Sequence, residues 1–329
     1  MAENVNIGAI AEELSHELFH DFFWQPIGRM NHDWNCEQKD VHSCQKHPCD
    51  VVFYYDEPYE QVRTYLHTDL KSYSKESISK TAIENALISL AKQVACANIS
   101  ENWQDEHTHQ QHQSSIQGML FIYNHDGEYD SDFNELLDKI DLSKIKLPND
   151  SRIYVIGPEE INWFQLIKLQ MQHYRGASRG FSLPNQDQCS FYYPQLSRKI
   201  NTERKSSKAA TLETLLAPWV VLKHQSGTEK GCVVFYKRDS VRVEEFIYFI
   251  DYLRYYSLLD ENYELMVVFK SECYAKALQN FQKAKQQYLE EINADSDSGL
   301  RQQVESINLD KFVKYTQCYS ADEIGMNYE

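Results

Sequence analysis

The chain has no run of about 18 uninterrupted apolar residues, the length a helix needs to cross a bilayer, and its mean hydropathy is −0.60. No membrane span is expected. The first residues, MAENVNIGAIAEELSHE, are acidic and lack the basic region and apolar stretch that mark a secretory signal, so the expected location is the cytoplasm. Positive charge is scarce as well. Lys and Arg number 33 against 49 Asp and Glu, giving a formal net charge of −16. A chain so balanced cannot grip nucleic acid with its surface at large; contact would need a local basic patch or a partner. Cysteines are few, eight in 329 residues, and Cys96, Cys232 and Cys273 fall inside apparent helices or strands. That spacing is not a disulfide framework, and reduced thiols are expected.

What is present describes a globular protein: 42% of residues are hydrophobic and 13% aromatic. The length suffices for a sizeable core and two domains. Residues 8–24 have Ile10, Leu14, Leu18 and Phe22 at helical spacing, closed by Pro26. On that wheel Glu17 falls beside Ile10 and is the acid better placed to look inward, whereas Glu13 lies further towards solvent; a solvated helix acid is the competing reading of Glu17. DVVFYY (50–55) and VRTYLHTDLKSY (62–73) read as a β-hairpin. Residues 79–100 form a helix with Ser79 as N-cap and an Ala-rich aliphatic stripe suited to close packing on a sheet. Gln93 lies at the margin of that stripe, within reach of a site at the sheet surface, with a solvent-facing side chain as the competing reading. Strands follow at 117–124 and 152–157, with a helix over 132–140 between them and another after Pro158. Alternating elements of this kind make an α/β layer architecture.

The stretch 62–73 combines strand periodicity with chemistry. Successive side chains of a strand point to opposite faces, so Arg63, Tyr65, His67, Asp69 and Lys71 share one face. Asp69 and Lys71 offer a metal ligand and a charge stabiliser there, or else a cross-strand charge pair. Asp50 heads the preceding strand, and a hairpin of this length brings the two carboxylates side by side. A second acid-x-Lys, Glu37 to Lys39, sits in a loop without strand periodicity.

Three further stretches draw attention. NHDWNCEQKDVHSCQKHPCD carries Cys36, Cys44, Cys49, His32, His42 and His47; these are zinc-ligand types, but the cysteine spacing lacks a short knuckle, so a loop with reduced thiols is the competing reading. EHTHQQHQ, with His107, His109 and His112, resembles a metal tract only in composition and is expected to be an exposed loop. LSRKINTERKSSKAA contains Arg198, Lys199, Arg204, Lys205 and Lys208 against one acid, a phosphate-contacting arm or a solvated linker. From Leu212 a ββαβα unit follows, giving expected domains at 1–180 and 212–329 joined by a basic linker, 181–211.

Together the helix with Glu17, the strand headed by Asp50, TDLKS with Asp69 and Lys71, the helix at 79 and the strand QGMLFIYN resemble the PD-(D/E)XK nuclease superfamily over roughly residues 8–125. The resemblance implies a restriction-endonuclease-like central mixed sheet flanked by helices, with a second, smaller α/β domain beside it. It implies Asp50 and Asp69, with Glu17, as ligands of Mg²⁺ or Mn²⁺. Lys71 would position or activate the attacking water. Gln93 stands where some members carry an assisting glutamine, although the tyrosine that often follows it is missing. The implied activity is phosphodiester hydrolysis, of DNA rather than RNA and endonucleolytic, in an effector subunit of bacterial anti-phage defence. A protein partner or homo-oligomer would supply the grip, aided by Arg198, Lys199, Arg204 and Lys205. Two alternatives stay open: a catalytically inactive adaptor on the nuclease fold, and a zinc-stabilised structural protein using Cys36, Cys44 and Cys49.

Overall fold

The computed structural model describes residues 13, 15–194, 207–239, 242–259, 263–292 and 298–314. The basic arm Arg198, Lys199, Arg204 and Lys205 lies outside these residues. By their internal contacts the described residues divide into two units, one up to Gln165 and one from Leu166 onward.

In the first unit residues 15–21 form a helix, α1, which buries Ser15, Leu18 and Phe19. A short strand β1 (Gln25–Ile27) follows, then β2 (His32–Asn35), the single turn α2 (Lys39–His42), β3 (Lys46–Cys49) and β4 (Val51–Asp56). The chain turns back into β5 (Val62–Tyr73), as the alternating β-branched and aromatic residues require. Next come α3 (Lys80–Ala97), α4 (Glu101–His107), β6 (Gln113–Asn124), α5 (Phe133–Leu137), β7 (Ile153–Ile156) and the start of α6 (Pro158–Arg175), whose residues from Leu166 onward belong to the second unit. Ser79 caps α3 as expected, its side chain accepting from the Ala82 amide at 3.3 Å.

Five of these strands make one mixed sheet in the order β1-β4-β5-β6-β7. The β1–β4 and β4–β5 pairs are antiparallel and the β5–β6 and β6–β7 pairs parallel. Parallel neighbours need a crossover, which α3 and α4 supply between β5 and β6. Helix α3 covers the face that carries His67 and Asp69: Ile83, Leu87, Leu90 and Val94 form one core cluster with Leu120 and Ile122 of β6. Gly118 permits this close approach. A Cβ there would stand 2.9 Å from both Val94 Cγ2 and Ile153 Cγ1. Helix α1 packs on the opposite face, with the Phe19 ring 5.1 Å from Phe53 and 5.9 Å from Phe121; those residues pair in register with Leu66 and Leu70.

The ribbon β2–β3 is a separate two-stranded sheet. It packs through Trp34, whose ring centroid lies 6.3 Å from Trp103 of α4 and 6.2 Å from His67.

The second unit contains β8 (Cys189–Phe191), α7 (Leu212–Leu216), β9 (Trp219–Ser226), β10 (Glu229–Tyr236), α8 (Val243–Tyr255), β11 (Tyr263–Phe269), α9 (Tyr274–Glu291), α10 (Ser298–Glu305) and β12 (Asn308–Lys311). β8 falls within the stretch expected to be a linker and forms the edge of the second sheet. That sheet runs β8-β9-β10-β11-β12. Its pairs are antiparallel, antiparallel, parallel and parallel, the same succession as in the first. The core packs Phe246, Phe249 and Phe281 of the helices against Tyr236 and Phe269 of the strands. The chemistry is not repeated with the topology: after Lys230 strand β10 reads GCVVFY, without a charged side chain.

Candidate active site

The β4–β5 register pairs Val51 with Thr68 and Val52 with His67. One step further back, Asp50 comes opposite Asp69. The twofold alternation of strand side chains then puts both carboxylates on the face covered by α3. Asp50 is anchored there by the Leu70 amide, which donates to its Oδ2 at 2.7 Å. Its carboxyl group lies within hydrogen-bonding reach of Asp69. Lys71 follows on the same face, and its Nζ donates to Asp69 Oδ1 at 2.5 Å. Asp69 is 5% exposed, while about a third of the Lys71 side chain meets solvent. The amine therefore forms the outer rim of the cluster and the carboxylates its floor.

The electrostatics follow from this crowding. Burial pushes the Asp50 carboxyl up, to about 6; the Leu70 amide and Lys71 pull it down, and the neighbouring Asp69 pushes it up further. Burial acts against the Lys71 ammonium too, but the charges of Asp69 and Asp50 outweigh it, and its pKa is raised. Two carboxylates offset by a single ammonium form an oxygen-donor set with surplus negative charge, the chemistry that a hard divalent cation satisfies.

Other expected residues are placed differently. Glu17 is exposed, because the buried stripe of α1 runs through Ser15, Leu18 and Phe19; the helix also covers the Leu66 and Leu70 face, not that of Asp69. Of the two readings of Glu17, inward-facing ligand and solvated helix acid, the structure follows the second. Gln93 is 1% exposed and does reach the sheet surface. Its partner there is His67, whose Nε2 donates to Gln93 Oε1 at 2.8 Å, and its own amide donates to Ser89 Oγ at 3.2 Å. Burial holds the His67 imidazole neutral, with its pKa lowered to about 4. Glutamine and histidine form the inner wall behind Asp69.

The thiols and imidazoles of residues 32–49 are ordered in ways their spacing does not show. Cys36, Cys44 and Cys49 do not form one group. Cys36 gathers with His42, His47 and Cys96, all four buried; Cys49 gathers with His32 and His107; Cys44 Sγ lies 3.8 Å from His47 Nδ1. His107, expected in an exposed loop, is fully buried at the end of α4, its Nδ1 3.2 Å from the Ile27 carbonyl oxygen. Cys96 and His67 escaped the sequence reading. The alternation of β5 gives the face of His67, and Cys96 falls within the expected helix 79–100, but neither signal names a partner.

No curated protein and no solved structure matches the chain. A family model described as "GAPS4 protein PD-(D/E)XK nuclease domain" matches residues 1–160. The matched segment holds Asp50, Asp69 and Lys71 on adjoining strands of a five-stranded mixed sheet, with a helix on each face. Over residues 1–160 the chain is thus similar to the GAPS4 protein PD-(D/E)XK nuclease domain, and its mixed sheet with flanking helices is consistent with the PD-(D/E)XK nuclease fold.

Proposed function

We propose that the first unit is a divalent-metal-dependent endonuclease whose working groups are Asp50, Asp69 and Lys71. The observation that carries this reading is the cluster itself: Asp50 and Asp69 within reach of each other, and the Lys71 amine 2.5 Å from Asp69. Asp50 and Asp69 would hold Mg²⁺ or Mn²⁺, which supplies charge neutralisation at the phosphoryl oxygens and a water acidified for attack. Lys71 keeps a fixed positive charge at the solvent side of the carboxylates, where a phosphodiester enters, and stabilises charge as it develops. The Leu70 amide fixes one oxygen of Asp50, and the carboxyl group faces Asp69, with which it would share the metal. Gln93 acts one layer behind, by holding His67 and thereby the packing around Asp69.

The substrate we assign is DNA, in keeping with the superfamily resemblance, and the setting is bacterial anti-phage defence, the association of the matching family. With a net charge of −16, the chain depends for its grip on the basic residues 198–205 and on a partner or a second copy. The deciding measurement is cleavage of single- and double-stranded DNA and RNA with and without Mg²⁺ or Mn²⁺, wild type beside Lys71→Ala and Asp69→Asn. Metal-dependent DNA cleavage that both variants lose is the expected result. Cleavage untouched by either substitution would remove the assignment.

A further inference from the structure

The gathering of Cys36, His42, His47 and Cys96 plays no part in the chemistry above. We propose that it is a structural zinc site of the Cys2His2 type, which ties the β2–β3 ribbon to helix α3.

The donor geometry carries the argument. Cys36 Sγ lies 3.4 Å from His42 Nδ1 and 3.6 Å from Cys96 Sγ, and Cys96 Sγ lies 3.3 Å from His42 Nδ1. One donor atom from each of the four residues falls within 4.8 Å of all the others. In a zinc tetrahedron with bonds of about 2.3 Å to sulfur and about 2.0 Å to nitrogen, the sulfur–sulfur edge is about 3.8 Å and the sulfur–nitrogen edges about 3.5 Å. The three separations among Cys36, His42 and Cys96 match those edges to within about 0.3 Å, and the His47 donor lies within 4.8 Å of each of them. They are far too long for a disulfide, whose sulfurs stand about 2.05 Å apart, and Cys36 and Cys96 are both free thiols.

A second observation is independent of these distances. His47 Nε2 is buried without a hydrogen-bond partner, although an orphaned ring nitrogen in a protein interior is costly. A metal bond at His47 removes that cost. All four side chains are more than nine-tenths buried, which suits a closed structural site rather than an open catalytic one. Two thiolates and two neutral imidazoles balance one Zn²⁺, and soft sulfur with imidazole selects zinc over the hard cation suited to Asp50 and Asp69.

The site also has a mechanical meaning. His47 lies on β3 and Cys36 and His42 in the connection between β2 and β3, while Cys96 comes from the last turn of α3, 60 residues away from Cys36. The Lys92 ammonium clamps the same junction by donating to the His42 carbonyl oxygen at 3.1 Å. Strand β3 leads from His47 directly into Asp50, so a metal at His47 fixes the stretch that delivers this carboxylate.

The zinc assignment stands apart from the nuclease reading, because its readout is metal content. Full-length protein purified under reducing conditions, dialysed against a mild chelator to strip Mg²⁺ and measured by elemental analysis should retain about one zinc per chain. Cys36→Ser and Cys96→Ser should each lose it, whereas Cys44→Ser and Asp69→Asn should keep it. Exchange of the wild-type metal for Co²⁺ should give the visible spectrum of a tetrahedral site with thiolate charge-transfer bands, a readout that needs no folded variant. Wild-type protein that neither carries zinc nor takes up Co²⁺ would overturn the proposal. So would a Cys36–Cys96 disulfide found by mass spectrometry, zinc retained by both cysteine variants, or zinc lost with Asp69→Asn.

Discussion

Lys71 Nζ and Asp69 Oδ1 lie 2.5 Å apart on one face of a single strand, with Asp69 almost fully buried and Lys71 reaching solvent. The pair is both a structural element and a chemical one, and the two roles separate experimentally. Lys71→Ala removes the donor and should lower the rate of metal-dependent cleavage on the order of 10² to 10³. It also leaves the Asp69 charge buried without its ammonium, so the variant should lose about 3–5 kcal/mol of stability in the absence of metal. Asp69→Asn combined with Lys71→Met should restore much of that stability in denaturant titrations and none of the activity. A double variant as unstable as Lys71→Ala would show that the pair does not set the cost.

Asp50 gives the pH dependence. Its carboxyl group holds a proton up to about pH 6 in the folded protein, against an ordinary value of 3.8. The folded state thus binds this proton more tightly than the unfolded chain does, and the stability it contributes is present below about pH 4 and lost as the pH rises through about 6. Asparagine keeps an oxygen for the Leu70 amide and does not titrate. With metal chelated, Asp50→Asn should therefore melt close to the wild type at pH 4 and above it at pH 7. Melting curves that stay parallel across that range would contradict the burial argument.

Gln93 is a positioning residue. Gln93→Ala leaves the buried His67 Nε2 without its 2.8 Å partner and should cost about 1–3 kcal/mol. Cleavage should fall well short of the loss in Lys71→Ala, and Gln93→Glu, which still accepts from His67, should recover stability. A loss of rate as large as that of Lys71→Ala in a stably folded Gln93→Ala protein would move the glutamine into the chemistry.

Gly118 sets the distance between α3 and the sheet. Gly118→Ala introduces a methyl group 2.9 Å from the stiff Val94 and Ile153 side chains and should destabilise by about 1–3 kcal/mol through overpacking. Val94→Ala in the same chain should relieve part of this, because it removes one of the two clashes. Urea midpoints of the single and double variants test it.

The basic arm is tested by salt. Neutralising Arg198, Lys199, Arg204 and Lys205 should reduce the slope of log affinity against log salt for duplex DNA by about 0.9 for each phosphate contact removed. An unchanged slope returns residues 198–205 to a plain connection.

Periodicity was enough to determine the strand faces. VRTYLHTDLKSY can present Asp69 and Lys71 together in only one way once it is extended. The short link to DVVFYY then leaves antiparallel pairing as the natural course, which sets Asp50 opposite Asp69. Ser79 and the aliphatic stripe likewise defined α3. What the sequence alone could not decide is which residue meets which across long intervals. Glu17 sits one position from the buried stripe of α1, and only packing against Phe53 and Phe121 decides that it faces out. Gln93 could have met solvent, Asp69 or His67, and the close seating of α3 over Gly118 selects His67. Cys36 and Cys96 share no local pattern; a crossover helix brings them to 3.6 Å. Local preference acts over a few residues and fixes the strand with its acid and lysine, whereas the wall behind it and the thiol–imidazole cluster beside it exist only after the sheet, helix and ribbon have packed.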